Sequence, residues 1–265
     1  MYILAVIEWA VPPEREYQWL AGRLGLTAYD VRMRIGGKPP VVIRTAAERS
    51  SLEPFADELE ARGHSAVVFD GDEFEKWRGR LSEPRRFVLC ENALSLPAEE
   101  ANIPYKKIAV LMLALLKRTT VTTKVEKKKK LAVGRAIATA GIVARKTVEK
   151  EYRRASEDRE RVLYVLCGPP LLCCRLREHR LQYHGLGELL LPSQAENFST
   201  LAHLLRQRAP NALFQDRTTG PVRLQTVSIS GWHRSSREEY SNLMENDLNA
   251  FLLLHGAVRK ASRQG

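Results

Sequence analysis

The chain has 265 residues, of which 44% are hydrophobic, so it can form one large domain or two small ones with a packed core. Its 42 Lys and Arg outnumber its 31 Asp and Glu, and this net charge of +11 predicts an anionic partner: nucleic acid, an acidic membrane surface or an acidic protein. The four cysteines, three of them clustered in apolar runs, predict buried thiols in a reducing compartment. The apolar runs are too short for a membrane-spanning helix of roughly 20 residues.

The first 70 residues predict a small unit of strands and helices. An apolar run at residues 2–7 predicts a buried strand and not a signal peptide, since no basic region precedes it. Pro12-Pro13 opens a first helix, Gly25 ends it, and Thr27 is the expected N-cap of a second. A strand, a helix and a strand follow at residues 40–44, 52–62 and 65–69. The predicted order is β-α-α-β-α-β.

Three stretches of this unit carry a family likeness. They are Leu24-Gly25-Leu26-Thr27 between the two helices, Pro40-Val41-Val42, and Leu59-Glu60-Ala61-Arg62-Gly63-His64 before the last strand. Together with the element order they resemble the C-terminal domain of the ribosomal large-subunit stalk protein, over residues 1–72. That family binds translation factors through lysines just after the helix junction, where this chain has Ala28, Tyr29 and Asp30. The resemblance therefore implies the fold and not factor binding.

A polar stretch at residues 70–85 predicts a short helix or linker. From Arg86 the sequence changes to short apolar runs that predict strands. Short strands are expected at residues 87–90, 93–96 and 119–123, and a hairpin at 161–166 and 171–176 around Gly168-Pro169-Pro170. The apolar stretch at 109–116 is compatible with a strand or a short helix, and 147–154 is expected to be extended. Ser193 is the expected cap of an amphipathic helix that covers residues 196–208.

Short strands closed by one amphipathic helix are the layout of another family. The strand Ile103-Pro104-Tyr105-Lys106-Lys107-Ile108 and the helix start Asn197-Phe198, with Leu201 and Leu204, resemble bacterial pleckstrin-homology-like domains. The resemblance covers residues 86–210 and implies an antiparallel β domain that binds lipids, peptides or proteins. Residues 211–265 predict a strand at 222–229 and a helix capped by Ser235 or Ser236. The predicted class is α+β, with consecutive segments at 1–72, 86–210 and 211–265.

The positive charge is concentrated in residues 117–154, which we call the basic arm. It holds 13 basic and 3 acidic residues, a net charge of +10. Its centre, residues 131–144, is apolar apart from Arg135 and Thr139, and is too short to span a bilayer. Basic residues on both sides of an apolar stretch are typical of segments that lie in a membrane interface. The candidate anion-binding residues are Lys124, Lys127, Lys128, Lys129, Lys130, Arg135, Arg145 and Lys146.

Three interpretations of the basic arm are open. It binds anionic lipid, with the apolar centre among the headgroups; or it binds nucleic-acid phosphates, although Tyr152 is its one aromatic residue for base stacking; or it is a structural hairpin whose apolar centre packs on its own core or a sister subunit. The last interpretation makes the lysines a solvated face.

The sequence gives no pattern for catalysis, a metal or a cofactor. Cys167, Cys173 and Cys174 with His179 and His184 lack the C-x2-C spacing of structural zinc sites, and Ser228-Ile229-Ser230-Gly231 is not a nucleophile elbow. The expected function is a non-enzymatic binding or scaffold protein of the bacterial cytoplasm, peripheral to the inner membrane face, whose partner is an anionic membrane surface or an acidic protein. A nucleic-acid or ribosome-associated protein, an enzyme with an unrecognised site and a homo-oligomer stay open as alternatives.

Overall fold

The computed structural model describes residues 1–131, 145–219, 224–232 and 235–264. Within these ranges the side chains of 126–131, 145–151, 228–232, 235 and 262–264 are not part of the description. The chain contains both helices and antiparallel sheets, which confirms the α+β class. It divides into two compact units: unit 1 comprises residues 1–116, 160–221 and 244–265, and unit 2 comprises 117–159 and 222–243. Both units are discontinuous in sequence. The consecutive segments 1–72, 86–210 and 211–265 stay a prediction.

The N-terminal part of unit 1 has the predicted β-α-α-β-α-β order. Its elements are β1 (Tyr2–Glu8), α1 (Tyr17–Leu24), α2 (Ala28–Ile35), β2 (Val41–Ala46), α3 (Glu53–Ala61) and β3 (Ser65–Asp70). The strands form an antiparallel sheet in the order β2-β1-β3. The predicted cap of α2 is confirmed: Asp30 N–H donates to Thr27 Oγ1 at 3.1 Å, and Thr27 N–H donates to the Asp30 carboxylate at 3.2 Å. This reciprocal pair satisfies two amide groups that the first turn leaves without helical partners.

Both faces of this sheet are covered, which explains the continuous apolar run of β1. On one face Leu4 and Val6 pack against α1, α2 and α3. On the other, Ile3 and Ala5 pack against two further helices, α4 (Gly71–Gly79) and α6 (Leu243–Gln264). Gly256 lets α6 approach β1, because a Cβ atom at that position would lie 2.6 Å from Ile7 Cγ2.

The rest of unit 1 is a second sheet system closed by a helix. β4 (Val88–Leu89), β5 (Ala93–Leu96) and β6 (Ala101–Pro104) form a small antiparallel sheet. The larger sheet has the order β10-β7-β8-β9, formed by β7 (Ile108–Leu131), β8 (Arg145–Cys167), β9 (Cys174–Arg177) and β10 (Leu213–Arg217). The helix α5 (Gln194–Arg208) packs Phe198, Leu201 and Leu205 into the same core. The predicted hairpin around Gly168-Pro169-Pro170 is confirmed, because Val162 pairs with Arg177 and Val165 with Cys174.

Unit 2 is a sheet in the order β11-β12-β7-β8. β12 (Ser235–Ser241) pairs with residues 118–124 of β7, and β11 (Gln225–Trp232) pairs with β12. The helix predicted to begin at Ser235 or Ser236 is wrong: residues 235–241 are a strand, and the helix begins at Leu243. The reason is tertiary, because Ser235 to Ser241 pair residue by residue with Lys124 to Arg118 of β7. The ambiguous stretch at 109–116 is likewise part of a strand, β7.

Candidate anion-binding site

The described residues of the basic arm, 117–131 and 145–154, lie on β7 and β8, which are neighbours in the sheet. Their alignment follows from the ion pair between Lys117 Nζ and the Glu157 carboxylate, at 2.8 Å. If the strands ran parallel, Arg145 would lie level with residue 105, about 26 residues or roughly 85 Å from Leu131 at 3.3 Å per residue. The 13 intervening residues span at most about 47 Å. The two strands are therefore antiparallel and form a hairpin.

This alignment brings two basic runs together, Lys127–Lys130 of β7 and Arg145–Lys146 of β8, at the strand ends next to segment 132–144. We call these strand ends the outer end of the hairpin. Counted from the contact of Lys117 with Glu157, Arg145 falls level with Lys129 and Lys146 with Lys128, to within about two residues. Residues 127–130 are the last before Leu131 on β7, and Arg145 is the first residue of β8. Cationic residues therefore lie on both strands where they enter the segment 132–144.

The structure places seven of the eight predicted anion-binding residues on these two strands. Lys124 is exposed and pairs through its backbone with Ser235 of β12. The others occupy strand positions, with side chains outside the description: Lys127, Lys128, Lys129, Lys130, Arg145 and Lys146. Arg135 lies outside the described residues, as does the apolar segment around it.

The division into units shows how strongly the charge is segregated. Unit 2 contains 17 basic and 7 acidic residues, a net charge of +10, whereas unit 1 contains 25 and 24, a net charge of +1. Within unit 2 the stretch 124–154 holds 11 basic and 3 acidic residues, a net charge of +8. Nearly all the excess charge of the protein therefore belongs to one unit, and most of it to the outer hairpin.

Carboxylates neutralise part of the charge at the start of the arm, at Lys117 and Arg118. Glu157 accepts from Lys117 and also pairs with Arg159, and these hydrogen bonds lower the pKa of Glu157. Arg118 pairs with Glu239 of β12 at 3.0 Å. β12 thus brings carboxylates to the start of the arm, and sequence reasoning missed this contribution. The run Ser-Arg-Glu-Glu-Tyr has helix-favouring residues, and its pairing with β7 is not visible in local sequence.

The cysteine cluster has the chemistry of buried thiols. Burial raises the pKa of Cys167 to about 12 and also raises those of Cys173 and Cys174. The Cys173 thiol donates to the Cys167 carbonyl at 3.3 Å. Among the described residues, no three His, Cys, Asp or Glu side chains are grouped as a metal site.

Comparison with protein families, curated proteins and solved structures finds no match for this chain. Across the described parts of the chain, none of the helices combines the length and the apolar character needed to cross a bilayer.

Proposed function

We propose that this protein is a non-enzymatic binding protein that attaches to an anionic lipid surface through the outer end of the basic arm. The observation that carries the proposal is the antiparallel alignment of β7 and β8, in which two basic strand ends flank one short apolar segment. Because the two strands are antiparallel neighbours, both basic runs lie at the same end of the hairpin and can contact one surface together.

Electrostatic attraction favours binding of the basic residues to anionic lipid headgroups. Each basic residue close to an anionic leaflet contributes about 1 kcal/mol, so Lys127 to Lys130, Arg145 and Lys146 together supply about 6 kcal/mol at low salt. This attraction acts over a Debye length of about 8 Å at physiological ionic strength, so the residues must lie at the surface itself. The basic residues can satisfy that condition, because Lys127 to Lys130 are near the end of β7 and Arg145 and Lys146 are the first residues of β8.

The segment between the basic runs distinguishes lipid from nucleic acid. Twelve of the fourteen residues at 131–144 are Ala, Gly, Ile, Leu or Val. Apolar side chains gain free energy by entering the headgroup and acyl boundary, whereas a phosphate backbone offers them nothing. The arm also has a single aromatic residue, Tyr152, so it provides no row of rings on which bases stack.

The proposal includes the finer family likenesses of the sequence. We assign residues 86–210, with the basic arm at 117–154, a pleckstrin-homology-like arrangement and residues 1–72 a stalk-protein-like one. Short antiparallel strands followed by the amphipathic helix α5 support the first assignment, and the β-α-α-β-α-β order supports the second. A lipid-binding role at the inner face of a bacterial membrane agrees with the first assignment, whereas the second favours the alternative of a nucleic-acid or ribosome-associated protein.

The direct test is co-sedimentation with liposomes that contain either phosphatidylserine with phosphatidylcholine or phosphatidylcholine alone, across a salt series. Replacement of Lys127 to Lys130 by alanine should remove binding to the anionic liposomes. The matched control replaces four exposed basic residues of unit 1 by alanine: Arg15, Lys76, Lys106 and Lys107. This control has the same net charge as the arm variant and should bind like the parent protein.

Filter binding with duplex DNA and RNA accompanies this test. Tight nucleic-acid binding with a steep salt dependence, together with no binding to anionic liposomes at about 0.15 M salt, would replace the lipid proposal with a nucleic-acid one. Equal losses in the arm variant and the unit 1 control would show that binding depends on total charge and not on the hairpin.

A further inference from the structure

The sheet of unit 2 has two faces, and the register of its strands assigns side chains to them. Side chains alternate between the faces along a strand, and directly opposite residues of neighbouring strands share a face. Odd-numbered residues of β12 lie opposite even-numbered residues of β7, so Arg237 and Glu239 lie on the face of those even-numbered residues. That face also carries Arg118 and Lys124, and the 3.0 Å ion pair of Arg118 with Glu239 agrees with the assignment.

Two contacts assign the side chains of β8. Lys117 on β7 forms an ion pair with Glu157 on β8, so odd-numbered residues of the two strands share a face. Arg153 and Tyr240 of β12 both belong to this face and interact. The hydrogen bond to Glu238 raises the pKa of Tyr240, and the positive charge of Arg153 opposes that rise. The even-numbered residues of β8 therefore share the other face with the even-numbered residues of β7.

The two faces differ in charge between the Lys117–Glu157 ion pair and the outer end of the hairpin. The even-numbered face of β7 and β8, which we call the basic face, has four cations and one anion among the described side chains of this stretch: Arg118, Lys124, Arg154, Arg237 and Glu239. The opposite face has one of each sign there, Arg153 and Glu238. The net charges are therefore +3 and 0.

The length of the strands makes the orientation of the hairpin matter for binding. At a rise of about 3.3 Å per residue, Lys124 lies about 23 Å and Arg118 about 43 Å from Leu131 along β7. If only the outer end touched a bilayer, both charges would lie beyond the Debye length of about 8 Å and contribute little. If the hairpin lies along the surface, each exposed cation of the basic face strengthens binding by about fivefold.

We propose that the hairpin lies along an anionic lipid surface with its basic face toward the headgroups. The inference rests on the proposed function and extends the contact from the outer end to the length of unit 2. The basic face complements an anionic leaflet and continues on the same strands as Lys127–Lys130 and Arg145–Lys146. Its hydroxyl groups, on Thr120 and Ser156, can donate to phosphate oxygens. On the opposite face Val121 is buried, so that face is already partly covered.

Two pairs of substitutions test which face binds, by co-sedimentation with liposomes of phosphatidylserine and phosphatidylcholine. Arg154→Ala with Arg237→Ala removes two exposed cations from the basic face and should weaken binding by about 25-fold. Arg153→Ala with Arg159→Ala removes two exposed cations from the opposite face and is the matched control. It has the same net charge and should bind like the parent protein. Circular dichroism checks that both variants are folded.

A fluorescent label measures the orientation directly. In a Cys90→Ser background, which removes the exposed native thiol, an environment-sensitive fluorophore is attached at Ser156→Cys on the basic face or at Ala155→Cys on the opposite face. Both positions are exposed in the unbound protein. On anionic liposomes the emission of the label at position 156 should shift to the blue, and that of the label at position 155 should stay unchanged.

The outcomes separate this inference from the proposed function. A parent protein that does not bind anionic liposomes would overturn both. If the parent binds and the alanine variant of Lys127 to Lys130 does not, the proposed function stands. In that case, equal binding by the two arginine variants, or equal or absent emission shifts at positions 155 and 156, would overturn the orientation alone.

Discussion

The hydroxyl of Tyr164 donates a 2.7 Å hydrogen bond to the carboxylate of Asp247, and both side chains are buried. The two residues are 83 positions apart, on β8 and α6. Arg175 of β9 completes the group with bonds of 2.8 and 2.7 Å to the two oxygens of the same carboxylate. Burial raises the pKa of Asp247, against the opposing effects of Arg175 and Tyr164. This cluster joins α6 to the sheet of unit 1.

Removal of the Asp247 carboxylate should therefore lower the free energy of unfolding more than removal of the Tyr164 hydroxyl. Asp247→Ala removes one of the two carboxylate partners of Arg175, which keeps Glu83, and leaves the buried Tyr164 hydroxyl without its acceptor. It should lower the free energy of unfolding by about 3 kcal/mol. Tyr164→Phe removes one hydrogen bond from a carboxylate that keeps Arg175, and should cost about 1 kcal/mol. Urea unfolding at pH 7 measures both. Equal losses in the two variants would contradict this division of roles.

His64 should make the stability of unit 1 depend on pH. It is buried, and its Nδ1 accepts the N–H of Ala10 at 3.1 Å, an interaction that requires the unprotonated ring nitrogen. Burial lowers the pKa of His64 below its ordinary value of 6.5, although Glu16 acts in the opposite direction. The unfolded chain then binds a proton more readily than the folded one, so this stability is present above pH 6.5 and is lost as the pH falls.

The test measures the midpoint of urea unfolding at a series of pH values from 7.5 to 5. This range includes the ordinary histidine pKa of about 6.5. His64→Gln keeps an acceptor for Ala10 and should flatten the profile, whereas His203→Gln, at an exposed position of α5, should leave it unchanged. A parent profile that His64→Gln does not alter would assign the pH dependence to other groups.

The four thiols should differ in reactivity. Cys90 is exposed, whereas Cys167 and Cys174 are buried, and burial raises the pKa of Cys167 to about 12. Because the thiolate is the nucleophile, iodoacetamide at pH 7.5 should alkylate Cys90 in the native protein and the other cysteines only after unfolding. Peptide mass spectrometry locates the label. Rapid alkylation of Cys167 in the folded Cys90→Ser variant would show that this thiol is accessible.

The capping box at the start of α2 should contribute measurably to stability. Thr27→Ala removes the acceptor for Asp30 N–H and the partner of the Asp30 side chain, and should lower the free energy of unfolding by about 1 kcal/mol. The matched control is Ser50→Ala, at an exposed position whose side chain makes no hydrogen bond among the described residues. A loss in Thr27→Ala no larger than in this control would mean that α2 is held by packing alone.

The sequence by itself determined the elements whose signals are local. Thr27 with Asp30, and Ser193 at the start of α5, cap their helices in the structure as their side chains predict. Gly25 and Gly63 end their helices in the left-handed region, with φ of 66° and 86°. The charge of the basic arm is also a property of sequence, so its candidate residues could be named without a fold.

Only the tertiary structure decided how the arm is built. Residues 235–241 carry helix-favouring side chains, yet they form a strand because β7 offers them a ladder of backbone partners. The stretch at 109–116 was compatible with two conformations until its pairing with β10 made it a strand. Strand pairing is set by partners distant in the chain, whereas a helix cap is set by residues three positions apart. The buried group of Tyr164, Arg175 and Asp247 has this same non-local origin.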